Sequence, residues 1–278
     1  MILNSHAFLG QETITCSSLT VTDIFNYLWK SISIGGACLF VLISGYFGIR
    51  WRFKGFVSLI YQTYFFVFVI YFALLATGIN SFSFRDFANR INCISTAYWF
   101  ITQYFLLMII APMLNPYIEK ASKNQLLLII VSYFIVEFYF CHTGGFGFNG
   151  GSSVLSFIGL YFLGRFIKLH CSQSKVSTIS RKSIYLCISI VLILILVLTE
   201  KIFLHMEGTA FKLYGGALSN PLVIMKSLII FLIIKDIKFN SIFVNKMATT
   251  AFPVYLLHMH PDIKHYFYEQ RAILYSNG

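Results

Sequence analysis

The chain has 278 residues, 58% of them hydrophobic and 11% charged, with a mean hydropathy of +0.76. A soluble domain carries about 25% charged residues, so composition excludes an ordinary water-surrounded fold and predicts an all-α, polytopic transmembrane bundle. The net charge of +11, from 21 basic against 10 acidic residues, fits either nucleic acid or cytoplasmic loops, and its distribution along the chain decides between them.

The chain opens with MILNSHAFLG. This start has no basic segment ahead of its apolar residues and no small-residue cleavage site, so it is not a cleavable signal peptide. It reads as a partial first helix over residues 1–9 that carries His6. A run SISIGGACLFVLISGYFGI then ends at Arg50, followed by FVSLIYQTYFFVFVIYFALLATGI and TAYWFITQYFLLMIIAPML. Next come LLLIIVSYFIVEFYF, SVLSFIGLYFLGRFI, SIYLCISIVLILILVLT, PLVIMKSLIIFLII and MATTAFPVYLLH. A helix needs about 20 residues to cross a hydrocarbon core of about 30 Å. The runs are continuous rather than alternating, which excludes the strands of a membrane barrel. The expectation is about eight full or near-full spans plus the partial first helix. No linker or repeat divides them, so residues 1–278 are predicted to form a single membrane domain.

With the first helix running outward, alternate loops hold Arg50, Arg52, Lys54, Lys120, Lys123, Arg165, Lys168, Lys175, Arg181, Lys182, Lys235, Lys238 and Lys246. Thirteen of the 21 basic residues therefore fall on one side, the asymmetry of cytoplasmic loops. It explains the charge without nucleic acid.

Ionisable side chains inside a membrane cost about 2.5–3.5 kcal/mol each on insertion scales, and are functional candidates for that reason. His6, Glu137, Arg165, Glu200, Lys201, Lys226 and His258 lie in or beside apolar runs. Neutral imidazole is the cheapest of these to bury and moves protons near neutral pH, so His6 suits a general base for a hydroxyl. A helix-end histidine in the headgroup layer fits the same spacing. Glu200 and Lys201 read as an interface pair, and Glu137 as a group that stays protonated or pairs with Lys226. Arg50, Arg52 and Lys54 follow SGYFGI directly and fit either a topological anchor or the capture of a phosphorylated donor by arginine forks. Arg165 leaves the same two readings open. The glycines of TGGFGFNGGSS lack the strand and acidic partner of a dinucleotide site, and read as a flexible hairpin. The six cysteines form no C-x-x-C pair and read as small apolar residues, with no metal site.

Five stretches together resemble the membrane acyltransferase 3 family. LFVLISGYFGIR is similar to its second-helix motif, and YWFITQYFLLMIIAPMLNPYIE to its Trp-Phe, Pro-x-Leu-Asn helix. FNGGSSVLSFIGLYFLGRFIK and YGGALSNPLVIMKSLIIFLII, followed by ATTAFPVYLLHMHP, resemble its later motifs. The resemblance runs from about Ile2 to Pro261. It implies about ten helices and transfer of an acetyl or other acyl group from cytoplasmic acyl-CoA to a hydroxyl of a cell-surface or lipid-linked glycan. It also implies a bacterial inner-membrane location, with the bilayer, acyl-CoA and glycan as partners and no bound cofactor. His6 matches the family histidine taken as catalytic. The arginine about ten residues before it falls ahead of Met1, and the family's final helix would follow His258.

The mechanism implied has His6 take the proton of the acceptor hydroxyl, which attacks the acyl carbonyl. Donor phosphates would lie near Arg50, Arg52 and Arg165, with Ser44, Tyr46 and Tyr104 lining the path. A transporter or flippase for a lipid-linked glycan, and an inactive fragment, are the competing expectations.

Overall fold

A computed structural model describes residues 28–29, 31–92, 97–143, 147–171, 178–203, 218–235, 237 and 241–264. Among them all regular structure is helical. The helices are α1 (Gly36–Phe47), α2 (Phe53–Ala76), α3 (Phe84–Ile91), α4 (Trp99–Lys120), α5 (Lys123–Thr143), α6 (Val154–His170), α7 (Thr178–Phe203), α8 (Pro221–Ile234) and α9 (Ile242–His258), with one 3-10 turn at Asn149–Gly151. Among the described residues each of the eight apolar runs of the sequence contains a helix. Three are long and apolar enough to cross a membrane: Phe53–Ala76, Trp99–Lys120 and, within α5, Lys123–Cys141. Ser31–Phe47, Lys182–Leu196 and Pro221–Ile234 are shorter apolar helices.

Local chemistry explains where the helices begin. Ser122 and Gln125 cap α5 reciprocally: Ser122 Oγ accepts from the Gln125 N–H at 3.3 Å, and Gln125 Oε1 accepts from the Ser122 N–H at 3.0 Å. Ser153 Oγ caps α6 through the Ser156 N–H, and Asn220 Oδ1 caps α8 through the Leu222 N–H at 2.9 Å, with Pro221 at the first helical position. α1 stops at Gly48, whose φ of 77° suits glycine and whose N–H returns to the Ser44 and Gly45 carbonyls.

The chain divides into two compact units interleaved in sequence, Met1–Trp51 with Leu106–Ile237 and Arg52–Phe105 with Lys238–Gly278. In the first, α6 is buried along most of its length, packing on α1 and α5, while α8 packs on α1 and α7. Small residues let α1 and α6 approach closely. A methyl group at Gly45 would sit 2.6 Å from the Tyr161 carbonyl oxygen, and one at Gly164 would sit 2.5 Å from the Leu42 carbonyl oxygen. The 3-10 turn closes this unit at one end. The Ser219 N–H donates to the Gly150 carbonyl at 3.3 Å, and Gly151, at φ +87°, leaves no room for a Cβ against Ser219. The described part of the predicted flexible hairpin is therefore a packed turn.

In the second unit α9 packs on α2, and α3 lies across α2. Phe87 of α3 meets the rings of Phe68 and Tyr71, and the Tyr64 hydroxyl of α2 donates to the Ile91 carbonyl at 2.8 Å. The Tyr98 hydroxyl donates to the Leu256 carbonyl of α9 at 2.9 Å.

Candidate functional site

The C-terminal end of α1 is where three of the sequence stretches meet. Ile49 follows the glycine that ends the helix, so both its backbone groups need partners outside the helix. Its N–H donates to the Tyr161 hydroxyl of α6 at 3.0 Å. That hydroxyl donates in turn to Asn115 Oδ1 of α4 at 2.7 Å, and Asn115 Nδ2 donates back to the Ile49 carbonyl at 2.8 Å. The ring is closed: each donor has an acceptor, and the turn leading to Arg50 is fixed from both sides.

Arg165, one helical turn beyond Tyr161 on α6, lies over the same turn. A Cβ on Gly48 would come within 2.8 Å of its Nη1, so the guanidinium packs directly on that glycine. Its Nη2 donates to Glu119 Oε1 at 2.9 Å, and its Nε is buried without a partner among the described groups. Arg165 is 8% exposed, while the Glu119 side chain is 58% exposed, so the pair is open to solvent mainly on the carboxylate side.

Arg50 is exposed at the end of this turn, and Arg52 is exposed at the N-cap of α2. Ser44 turns back on its own helix, its Oγ donating to the Phe40 carbonyl at 2.9 Å. Tyr46 is half-buried, its ring 4.9 Å from the Lys168 ammonium and 5.2 Å from the Phe231 ring. Tyr104 is half-buried and stacks on Phe100. Ser44 and Tyr46 belong to the first unit and Tyr104 to the second, so neither unit gathers all three. His6, Cys16 and Cys93 lie outside the described residues, as do the Glu200 and Lys201 side chains. Tyr161, Asn115 and Glu119 were not singled out from the sequence, although all three lie inside the quoted stretches. Their signal is spacing: Asn115 and Glu119 stand four apart on α4, as Tyr161 and Arg165 do on α6, and each helix presents both to one face.

A second buried polar group sits where α1 begins. The chain from Ser31 is helical but breaks at Ile34–Gly35, where Gly35 has a φ of 96°. Lys226 of α8 is fully buried, and its ammonium donates to the carbonyls of Ser31 and Ile34. Ser227 Oγ lies 2.8 Å from the Val223 carbonyl and 3.3 Å from that of Gly35. Lys226 thus pairs with the backbone of a broken helix and makes no ion pair with Glu137, the partner considered from sequence. Glu137 is 2% exposed, with Oε2 unpartnered among the described groups.

A third cluster follows α9. His260 is fully buried. Its Nε2 lies 3.2 Å from the Val67 carbonyl, and its Nδ1 accepts from the Asp262 N–H at 3.2 Å. A carbonyl only accepts, so Nε2 carries the proton and the imidazole is neutral. Asp262 pairs with Arg90, whose guanidinium lies 5.5 Å over the Tyr71 ring. Burial lowers the His260 pKa from the usual histidine value; the Val67 hydrogen bond and the Asp262 charge oppose this, and Arg90 adds to the lowering.

Among the described residues no group of three or more His, Cys, Asp and Glu side chains could hold a metal ion. No protein-family model matches the chain, and no match was found among curated proteins or solved structures.

Proposed function

We propose that the chain is a multi-pass membrane O-acyltransferase. In this reading about eight spans and a partial first helix form a bundle in a bacterial inner membrane. Acyl-CoA approaches from the cytoplasm, and an acyl group passes to a hydroxyl of a cell-surface or lipid-linked glycan. The observation that carries the reading is the convergence on one turn of SGYFGI, PMLNPYIE and GLYFLGRF, three stretches that also carry the family resemblance. The charge asymmetry of the sequence supports a cytoplasmic position for that turn, next to Arg50, where a phosphorylated donor would arrive. Arginine suits that task because its planar fork matches phosphate oxygens.

The chemistry asked of the protein is a proton transfer and a positioned attack. His6 takes the proton from the acceptor hydroxyl as the oxygen attacks the thioester carbonyl. The acyl–sulfur bond then breaks, and CoA leaves as the thiol. Purified protein in proteoliposomes, given labelled acetyl-CoA and a glycan acceptor, is expected to label the glycan. Absence of both label transfer and CoA release would overturn the assignment.

One observation favours a transporter instead: broken helices whose freed carbonyls meet a cation are a transporter device, and Lys226 stands at such a break. Flux of a lipid-linked glycan without acyl transfer would select that reading.

A further inference from the structure

We infer that Tyr161 and Asn115 are positioning residues of a phosphate-binding turn, holding Ile49 so that Arg50 presents its guanidinium to the donor. The inference rests on the acyl-CoA reading above and assigns the donor end of that site to a specific hydrogen-bond ring.

Three observations carry it. First, the ring satisfies both backbone groups of Ile49, at 3.0 Å and 2.8 Å, and is closed by the bond of 2.7 Å between Tyr161 and Asn115. A residue just past a helix end has no such constraint by default, because its backbone groups are free to face water. Here two side chains from two other helices are committed to one peptide segment. Second, Ile49 directly precedes Arg50, which is exposed and makes no ion pair among the described residues. Fixing the backbone one residue ahead sets the direction in which the Arg50 side chain leaves the turn, so less ordering of the turn is left to donor binding. Third, the Arg165 guanidinium is packed against Gly48 of the same turn, with Nε unpartnered. The turn therefore has one exposed guanidinium at its end and a second, nearly buried one behind it. Arg165 is already paired with Glu119, so it is the exposed Arg50 fork that is offered to a phosphate of the donor.

Neither positioning residue touches the donor in this scheme. Tyr161→Phe removes one oxygen, leaving the Ile49 N–H and Asn115 Oδ1 without that partner. Asn115→Ala removes the donor to the Ile49 carbonyl. Tyr133→Phe is the control: it also removes a phenol hydroxyl from the first unit, one that donates to the Leu155 carbonyl in the first turn of α6 and takes no part in the Ile49 ring.

The test measures binding of coenzyme A by calorimetry and acetyl-CoA turnover for the four proteins in detergent, with monodispersity as the folding control. Tyr161→Phe and Asn115→Ala are each expected to weaken coenzyme A binding and raise the acetyl-CoA KM by roughly tenfold, with kcat within about twofold. Tyr133→Phe is expected to match the parent. Parent-like binding in both ring variants, with the parent active, overturns the positioning role and leaves the acyltransferase reading intact. A fall in kcat at unchanged coenzyme A affinity also overturns it. A parent that neither binds coenzyme A nor turns over acetyl-CoA overturns the proposed function, and this inference with it. If Tyr161→Phe does not fold, Asn115→Ala decides alone by the same readings.

Discussion

Lys226 carries an ammonium to a position with no solvent exposure, and the fold meets it with two backbone carbonyls rather than a carboxylate. Those carbonyls are available because the helix breaks at Gly35. Lys226→Met keeps an unbranched side chain, one atom shorter and without the ammonium, and strands both acceptors. Each unmade buried hydrogen bond costs about 1–3 kcal/mol, so a clear drop in thermal unfolding temperature in detergent is expected; an unchanged melt would show that the carbonyls find other partners. The sequence marked Lys226 as an intramembrane charge, and the adjacent glycines Gly35 and Gly36 were visible. What was not legible was that α8 runs beside that break, which no local pattern encodes. His260 was equally hidden: it lies inside the quoted ATTAFPVYLLHMHP stretch, but nothing local tells that its ring reaches the Val67 carbonyl. Its lowered pKa means the unfolded chain binds the proton more readily than the folded one. Its contribution to stability is therefore complete above the ordinary histidine range, and falls as pH drops through about 6.5 toward the lowered folded value. Melts across about pH 8 to pH 5 should show that loss. His260→Gln keeps an N–H for Val67 and cannot take the proton, so it should flatten the histidine part of the profile. An equally steep profile in the variant would assign the acid sensitivity to other groups.

Between elements, the α1–α6 contact depends on two glycines. Cβ atoms at Gly45 and Gly164 would meet backbone oxygens at 2.6 Å and 2.5 Å, and backbone cannot rotate away as a side chain can. Gly164→Ala is expected to destabilise the protein by about 1–3 kcal/mol. Gly55→Ala, where the nearest atom to a Cβ is the Arg52 Cβ at 3.9 Å, should be neutral or slightly favourable in α2. Equal melts for the two variants would contradict the close approach. Helix existence was legible from apolar runs, because a membrane helix needs only length and hydropathy. α8 begins and ends where its run does, as Pro221 and its Asn220 cap announce the start. The short helix α3 escaped notice because FRDFANRI is neither long nor apolar, and its apolar side acquires meaning only against α2. The Gly147–Gly151 segment was read as flexible from its glycines. The positive φ values are real, but at Gly151 they serve a tight approach to Ser219 rather than freedom.

At the scale of the whole molecule, composition set the class: a charged fraction of 11% agrees with described residues whose regular structure is all helical, three of those helices being long and apolar enough to cross a membrane. Exposed Phe47, Phe53, Tyr61 and Phe65 agree with helices that face lipid rather than water. The candidate site was legible only in part. Arg50 and Arg165 were named from charge and spacing, but the ring of Ile49, Asn115 and Tyr161 joins residues far apart in sequence, through contacts that periodicity does not record. The central claim is acyl transfer with His6 as base, and one comparison tests it most directly. Acetyl transfer from labelled acetyl-CoA to glycan is measured in membranes holding equal amounts of the parent and of His6→Ala. The account expects transfer by the parent and a loss of about 10²–10⁴-fold in the variant, with assembly unchanged. Equal transfer by the two proteins would contradict it.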